Sequence, residues 1–133
     1  KCCGNFESIV EYSNSSGWIH INGTPSPRWL QIDFKSRKIK INSYVIKTAI
    51  QNEGNKKHIR SWKLEISNDG NKWEKIDQRD SELNGINKMK SFNVSTEHMP
   101  FRFIRIITDK NNWYSSDGFE IGKLELFGEL LNE

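Results

Sequence analysis

The stretch Asn111-Asn112-Trp113-Tyr114-Ser115-Ser116-Asp117-Gly118 sets two aromatic rings among small polar residues. A ring on a polar loop can offer a flat apolar face to the C–H groups of a sugar or to a partner's side chain. Neighbouring Asn, Arg and His groups then hydrogen-bond the hydroxyls. Trp18 and His20 make a second such pair in a Ser- and Asn-rich segment, and Arg28 and His58 add a guanidinium and an imidazole. The alternative is that each ring folds back over an edge of the fold as a plug, and that His58 braces its turn. The residues leave both readings open.

Catalysis finds no support in the same inventory. No Ser, His and acid fall into a nucleophile-elbow context, no His or Cys cluster has metal spacing, and no glycine loop is built to cradle phosphate. Asp33, Asp69 and Asp77 sit at strand ends and turns. The chain reads as a non-enzyme without a cofactor.

Charge narrows the partners. The 133 residues carry 20 Lys and Arg against 17 Asp and Glu, a net +3, with the two signs interleaved. No basic block could neutralise a run of phosphates, and Lys56-Lys57 with His58 and Arg60 reads as a solvated loop, so nucleic acid is not an expected partner. No run reaches the apolar length of a membrane span. Cys2 and Cys3 are neighbours, and a disulfide between adjacent residues is badly strained. That leads to the expectation of a reduced, intracellular, cytoplasmic protein. The chain opens at Lys1 without Met, as a single domain excised from a longer protein would. Three Asn-X-Ser/Thr triplets, at Asn14, Asn22 and Asn93, are what an Asn- and Ser-rich composition produces by chance.

Strands must position these residues. Leu30, Ile32 and Phe34 alternate with polar neighbours behind Pro25 and Pro27. Ile39 and Ile41 alternate, then the apolar parity shifts to Tyr44, Ile46 and Thr48, which predicts a bulge near Asn42-Ser43. Trp62, Leu64 and Ile66 form a strand that an Asn68-Asp69-Gly70-Asn71 turn returns through Trp73 and Ile76. Phe92 and Val94, Phe101 to Ile107, and Leu124 to Leu126 complete the set, with Phe127 and Gly128 ending it. Both Trp62 and Trp73 are expected in the core, Arg102 and Arg105 in buried or rim ion pairs, and His98 on an exposed turn. The expected loops are 13–28, 51–60, 79–90 and 109–118. Short strands without helices argue for an all-β antiparallel sandwich.

The series Trp29-Leu30-Gln31-Ile32-Asp33-Phe34, Ile41-Asn42-Ser43-Tyr44, His58 to Gly70 and Trp73-Glu74-Lys75-Ile76-Asp77 resembles the discoidin family, the coagulation factor V/VIII type C domains. Phe101 to Ile106 and Leu124-Glu125-Leu126-Phe127-Gly128 continue the likeness in order. Lys1 to Asn5 and Leu83-Asn84-Gly85 are similar to the intracellular branch found beside BTB domains and in protists. The resemblance implies a jelly roll of the galactose-binding-like type, non-catalytic, with ligand loops at one end. It departs where secreted members close the domain with a disulfide between its ends. It also departs between Tyr12 and Trp29, where relatives gather carboxylates for structural calcium; here only Glu7 and Glu11 lie nearby.

The leading expectation is protein–protein recognition through Asn111 to Ser116 with Trp18, His20, Arg28 and His58. The first alternative is binding of galactose-type sugars by the same aromatics with Arg, His and Asn. Peripheral phospholipid binding ranks third, because the loops carry few Leu or Phe residues.

Overall fold

The computed structural model describes the backbone of residues 7–13, 19–21, 28–48, 59–80, 82–83, 88–108 and 119–131, and the side chains of those from 29 onward. Every regular element among them is a strand: β1 (Glu7–Ser13), β2 (Ile19–Ile21), β3 (Arg28–Asp33), β4 (Lys38–Lys47), β5 (Ser61–Ser67), β6 (Glu74–Asp80), β7 (Met89–Asn93), β8 (Phe103–Thr108), β9 (Phe119–Ile121) and β10 (Lys123–Leu131). Two four-stranded sheets, ordered β1-β10-β4-β7 and β3-β8-β5-β6, are joined by a β2-β9 ribbon, and every pairing is antiparallel. The all-β sandwich is as the alternation requires.

The core lies between the four-stranded sheets. Strand period two sends Trp62, Leu64, Ile66, Ile104 and Ile106 inward from one sheet, and Ile39, Ile41, Tyr44, Ile46, Phe92, Leu124 and Leu126 inward from the other. Each such burial contributes on the order of 1.5–3 kcal/mol. The parity shift in β4 is real: Ile39 and Ile41 are buried, Asn42 and Ser43 are not, and Tyr44 and Ile46 are buried again. Opposite it, the β10 register slips between Phe127 and Gly128. A Cβ on Gly128 would stand against the Lys40 carbonyl oxygen and 2.7 Å from Ile41 Cα, so only glycine fits there. β10 therefore continues through the bulge to Leu131 instead of ending at Gly128.

Inside the core one hydroxyl connects the sheets. Tyr44 Oη accepts from Trp62 Nε1 at 2.8 Å and donates to Asp77 Oδ2 at 2.5 Å. Arg79 Nε donates to the same carboxylate oxygen at 3.0 Å, and its guanidinium lies 4.9 Å from the Phe92 ring centre. Burial, reinforced by the Asp77 charge, pushes the Tyr44 phenol far above its usual range, so it stays a neutral donor.

Three sequence expectations are corrected. Trp73 is not in the core. It is half-buried, edge-on to Phe103 at 6.4 Å, with the Arg105 guanidinium 4.0 Å from its ring centre. The register shift between Leu64 and Glu65 breaks the alternation that would have turned it inward. His98 is 6% exposed, with its two ring nitrogens 2.9 Å from the Ile41 oxygen and 3.0 Å from the Met99 oxygen. Within the expected 13–28 loop the chain forms β2, and β1 precedes it. Arg102 and Arg105 do pair as expected, with Asp33 (2.8 and 3.1 Å) and Glu65 (2.8 Å).

Two carboxylates are held in the charged form by their partners and add to the acid sensitivity of the fold. The Arg102 guanidinium, helped by the Lys35 N–H, holds Asp33 far below the usual carboxylate range. The N–H groups of Lys72 and Asn71 hold Asp69 low. A depressed folded-state pKa means that the unfolded chain takes up protons first. The stabilisation is complete above about pH 4 and is lost as pH falls below it. Urea midpoints measured against pH should fall on that acid limb, and more shallowly in Asp33→Asn. Tyr44→Phe, which strands the buried Trp62 N–H, should cost about 2 kcal/mol in a denaturant titration.

Candidate functional site

One end of the sandwich gathers strand ends from both sheets. On one side Arg28 opens β3 opposite Thr108, the last residue of β8, and Ser61 opens β5 opposite Asp80, the last of β6. On the other, Lys47 closes β4 opposite Lys123 and Met89, and Ser13 closes β1 opposite Lys123. The β2-β9 ribbon is stitched between the two sides. Gly122 N donates to Lys47 O at 2.6 Å, and Ile59 N donates to Glu120 O at 3.2 Å.

Beneath this end the core is sealed by Ile59, Phe119 and Ile121, all at or below 1% exposure. Polar groups are nonetheless buried here: Thr48, Ser61, Thr108 and Glu120. Buried polar groups persist where hydrogen bonds satisfy them. Thr48 shows how: its N–H donates to Lys88 O at 2.7 Å, and its hydroxyl oxygen accepts from Lys88 N at 2.8 Å. This two-bond clasp fixes where the chain leaves β4 and where it enters β7.

The positions singled out from the sequence attach to this frame. His20 is the middle residue of β2, opposite Glu120, and Arg28 is the first residue of β3; both are strand positions, not loop positions. The strand at His20 forms because Ile19 and Ile21 pair with Ile121 and Phe119, about a hundred residues further on, which no local pattern announces. Trp18, His58, Asn111, Asn112, Trp113 and Tyr114 lie outside the described residues. Their chain neighbours are fixed, however. Residue 58 precedes Ile59, which bonds to Glu120 opposite His20. Residues 109–118 run from Thr108, opposite Arg28, to Phe119, opposite Ile21. The strand positions of His20 and Arg28 and the described residues Ile59, Thr108 and Phe119 thus lie at one end.

Alternation had put Thr48 on the inward parity with Tyr44 and Ile46, as found, but sequence reasoning passed over Glu120. A carboxylate between Phe119 and Ile121, both apolar, was the available signal for a buried acid. Among the described residues, no three His, Cys, Asp or Glu side chains cluster as a metal ion would require. Glu7 and Glu11 lie on β1, opposite Gly128 and Glu125.

Comparison with known proteins follows the geometry. A family model of the F5/8 type C domain matches residues 6–121. No curated protein matches the chain in sequence. Among solved structures, the C-terminal domain of a chitobiase from Bacteroides fragilis is 16% identical with a TM-score of 0.66, covering 97% of each chain. A Clostridium perfringens module, CpGH89CBM32-5, in complex with GalNAc-β-1,3-galactose, is 13% identical with a TM-score of 0.66, covering 94% of this chain and 96% of that one. Chitosan-binding module 1 of a chitosanase/glucanase from Paenibacillus sp. IK-5 is 12% identical with a TM-score of 0.58, covering 93% and 96%. At these identities the likeness is one of fold.

The Thr48–Lys88 clasp is directly testable. Thr48→Val keeps the shape and removes the acceptor for Lys88 N. It should lower stability by about 1 kcal/mol and speed exchange of the Lys88 amide, read by hydrogen exchange.

Proposed function

The chain belongs to the F5/8 type C domain family, and from that premise we propose that it is a non-catalytic module that binds glycans of the galactose or N-acetylhexosamine type at the end where β2, β3, β5, β8 and β9 converge. The observation that carries this reading is the convergence itself. The strand positions of His20 and Arg28, and the described neighbours Ile59, Thr108 and Phe119, lie at this end, and the sequence supplies His58 beside the first and Asn111-Asn112-Trp113-Tyr114 between the other two. Aromatic faces with Asn, Arg and His donors are the groups that a pyranose needs, one for its C–H face and the others for its hydroxyls.

Structures of the same fold supply the direction. One is a complex with GalNAc-β-1,3-galactose and another is a chitosan-binding module. That moves sugar recognition ahead of protein–protein recognition, which the sequence had placed first. The narrower likeness to the intracellular branch draws no support from these relatives. A binding role without catalysis agrees with the absence of a catalytic motif in the sequence.

The test is a nitrogen-15 titration of the tryptophan indole signals with GalNAc-β-1,3-galactose, galactose and chitosan oligomers. At least one should shift the Trp113 or Trp18 indole saturably while the core Trp62 signal stays in place. Trp113→Ala should weaken that binding about tenfold or more without changing the thermal midpoint. Folded protein whose loop-end indoles stay still through all three sugars would end the glycan reading in favour of a protein partner.

A further inference from the structure

At the end of the sandwich away from Thr108, the β5–β6 turn and the segment before β8 border an open cleft of about 360 Å³. Trp73, Met99 and Phe101 line it with apolar surface, and Asn68, Asp69, Lys72 and Glu74 line it with polar groups. Its position follows from the register: Ser67, the last residue of β5, is opposite Phe103, the first of β8.

The cleft is built rigidly. Asp69 Oδ1 accepts from the N–H groups of Asn71 and Lys72, both at 2.8 Å, and Ser67 Oγ accepts from Gly70 N at 2.9 Å. Gly70 takes the left-handed conformation (φ 77°) that this turn requires. The two walls are tied together, since Asn68 Nδ2 donates to Pro100 O at 3.0 Å and its Oδ1 accepts from Lys38 Nζ. The Trp73 indole is braced from outside the cleft by Arg105 and Phe103, neither of which lines it. A ring held this way presents a fixed surface, and a binding site that is already ordered loses little entropy on binding.

Much of what lines the mouth is not used by the fold. Met99 is 68% exposed, and Lys72 and Glu74 are exposed. The cleft therefore offers apolar sides, an ammonium donor and carboxylate acceptors. We propose that it is a second ligand site, taking one neutral pyranose unit, with a sugar ring face against Trp73 and hydroxyls bonded by Lys72 and Glu74. The volume sits at the low end of the roughly 300–1,000 Å³ typical of small-ligand pockets, which suits a single ring and not a longer chain. A phosphorylated ligand would meet the carboxylates of Asp69 and Glu74, and an acyl chain would meet a polar mouth. Glycan contacts at both ends would let one domain engage two points of a chain or two chains, raising apparent affinity through effective concentration. The geometry here is independent of the loop-end reading.

The experiment is a nitrogen-15 titration of the folded domain with methyl β-galactopyranoside and methyl β-glucopyranoside, with the open-chain polyol sorbitol as control. The signals to follow are the Trp73 indole and the Asn71 and Lys72 amides. One of the pyranosides should shift these signals saturably and sorbitol should not. Glu74→Ala and Met99→Ala, both at exposed positions, should each weaken the effect about three- to tenfold and leave the Trp113 and Trp18 shifts unchanged. The proposal fails if the Trp73 signals stay still, if they drift linearly or follow sorbitol, or if saturable shifts are indifferent to both variants. Because Trp18 and Trp113 give their own indole signals, failure of the glycan reading and failure here are read separately.

Discussion

The Tyr44 hydroxyl is the point on which the two sheets agree. It projects from β4 into the core, accepts from the Trp62 indole of β5 and donates to the Asp77 carboxylate of β6. Hydrophobic burial is nondirectional and would tolerate small slides of one sheet over the other, whereas these two bonds tolerate very little. Phe92 fills the same place from β7, 5.2 Å from the Tyr44 ring and 5.4 Å from the Trp62 ring. Arg79 carries the lock to the edge, bonding Asp77 on its own strand and the Asn93 carbonyl of β7 at 3.3 Å. Tyr44, Trp62 and Phe92 are buried and Asp77 and Arg79 half-buried, so the bonds of Tyr44 act where water does not compete well, whereas the one to Asn93 lies at the exposed edge.

With the sheets fixed in register, the two ends of the sandwich take on different work. The end near Asp33 is held by direct pairing beside the cleft: the Arg102–Asp33 fork, the edge-on packing of Phe34 and Phe101 at 6.4 Å, and the Ile39–Phe101 bridge. The opposite end is closed from below by Ile59, Phe119 and Ile121, and its chain crossings are held by backbone bonds at Lys47, Thr48, Lys88 and Gly122. Strand ends held by a rigid frame leave the connecting segments free to vary in sequence, and binding residues concentrate on such segments for that reason. On the outer face of the β3-β8-β5-β6 sheet, Arg105 lies between two indoles, 5.2 Å from Trp29 and 4.0 Å from Trp73, while also bonded to Glu65. This cross-strand ladder covers apolar surface with a charged group whose hydrogen bonding is already met.

Several features were legible from residue order because they depend on near neighbours. The inward faces of β4, β5 and β8 follow from alternation, and the shift of parity after Ile41 announced the bulge. The pairing of Arg102 and Arg105 with acids follows from placing a guanidinium in an apolar strand. Other features needed partners distant in sequence. His98 is buried because the Ile41 carbonyl, 57 residues away, receives it. Trp73 faces outward because the hairpin bulges. β2 exists because β9 pairs with it. The candidate residues His20 and Arg28 were found by type, but the reading of both as loop residues was wrong for the same reason.

The sequence by itself determined the class of structure and the chemistry within reach: an all-β sandwich, no catalytic motif, and aromatic, Asn, Arg and His groups suited to binding. Those follow from side-chain type and a period of two, which are local properties. Tertiary structure alone decided which strand ends meet at one end of the sandwich, that Glu120 is buried beneath them, and that a cleft opens beside Trp73. These depend on register and crossover between strands far apart in the chain, and such pairings are fixed by the core as a whole and by no short stretch of residues.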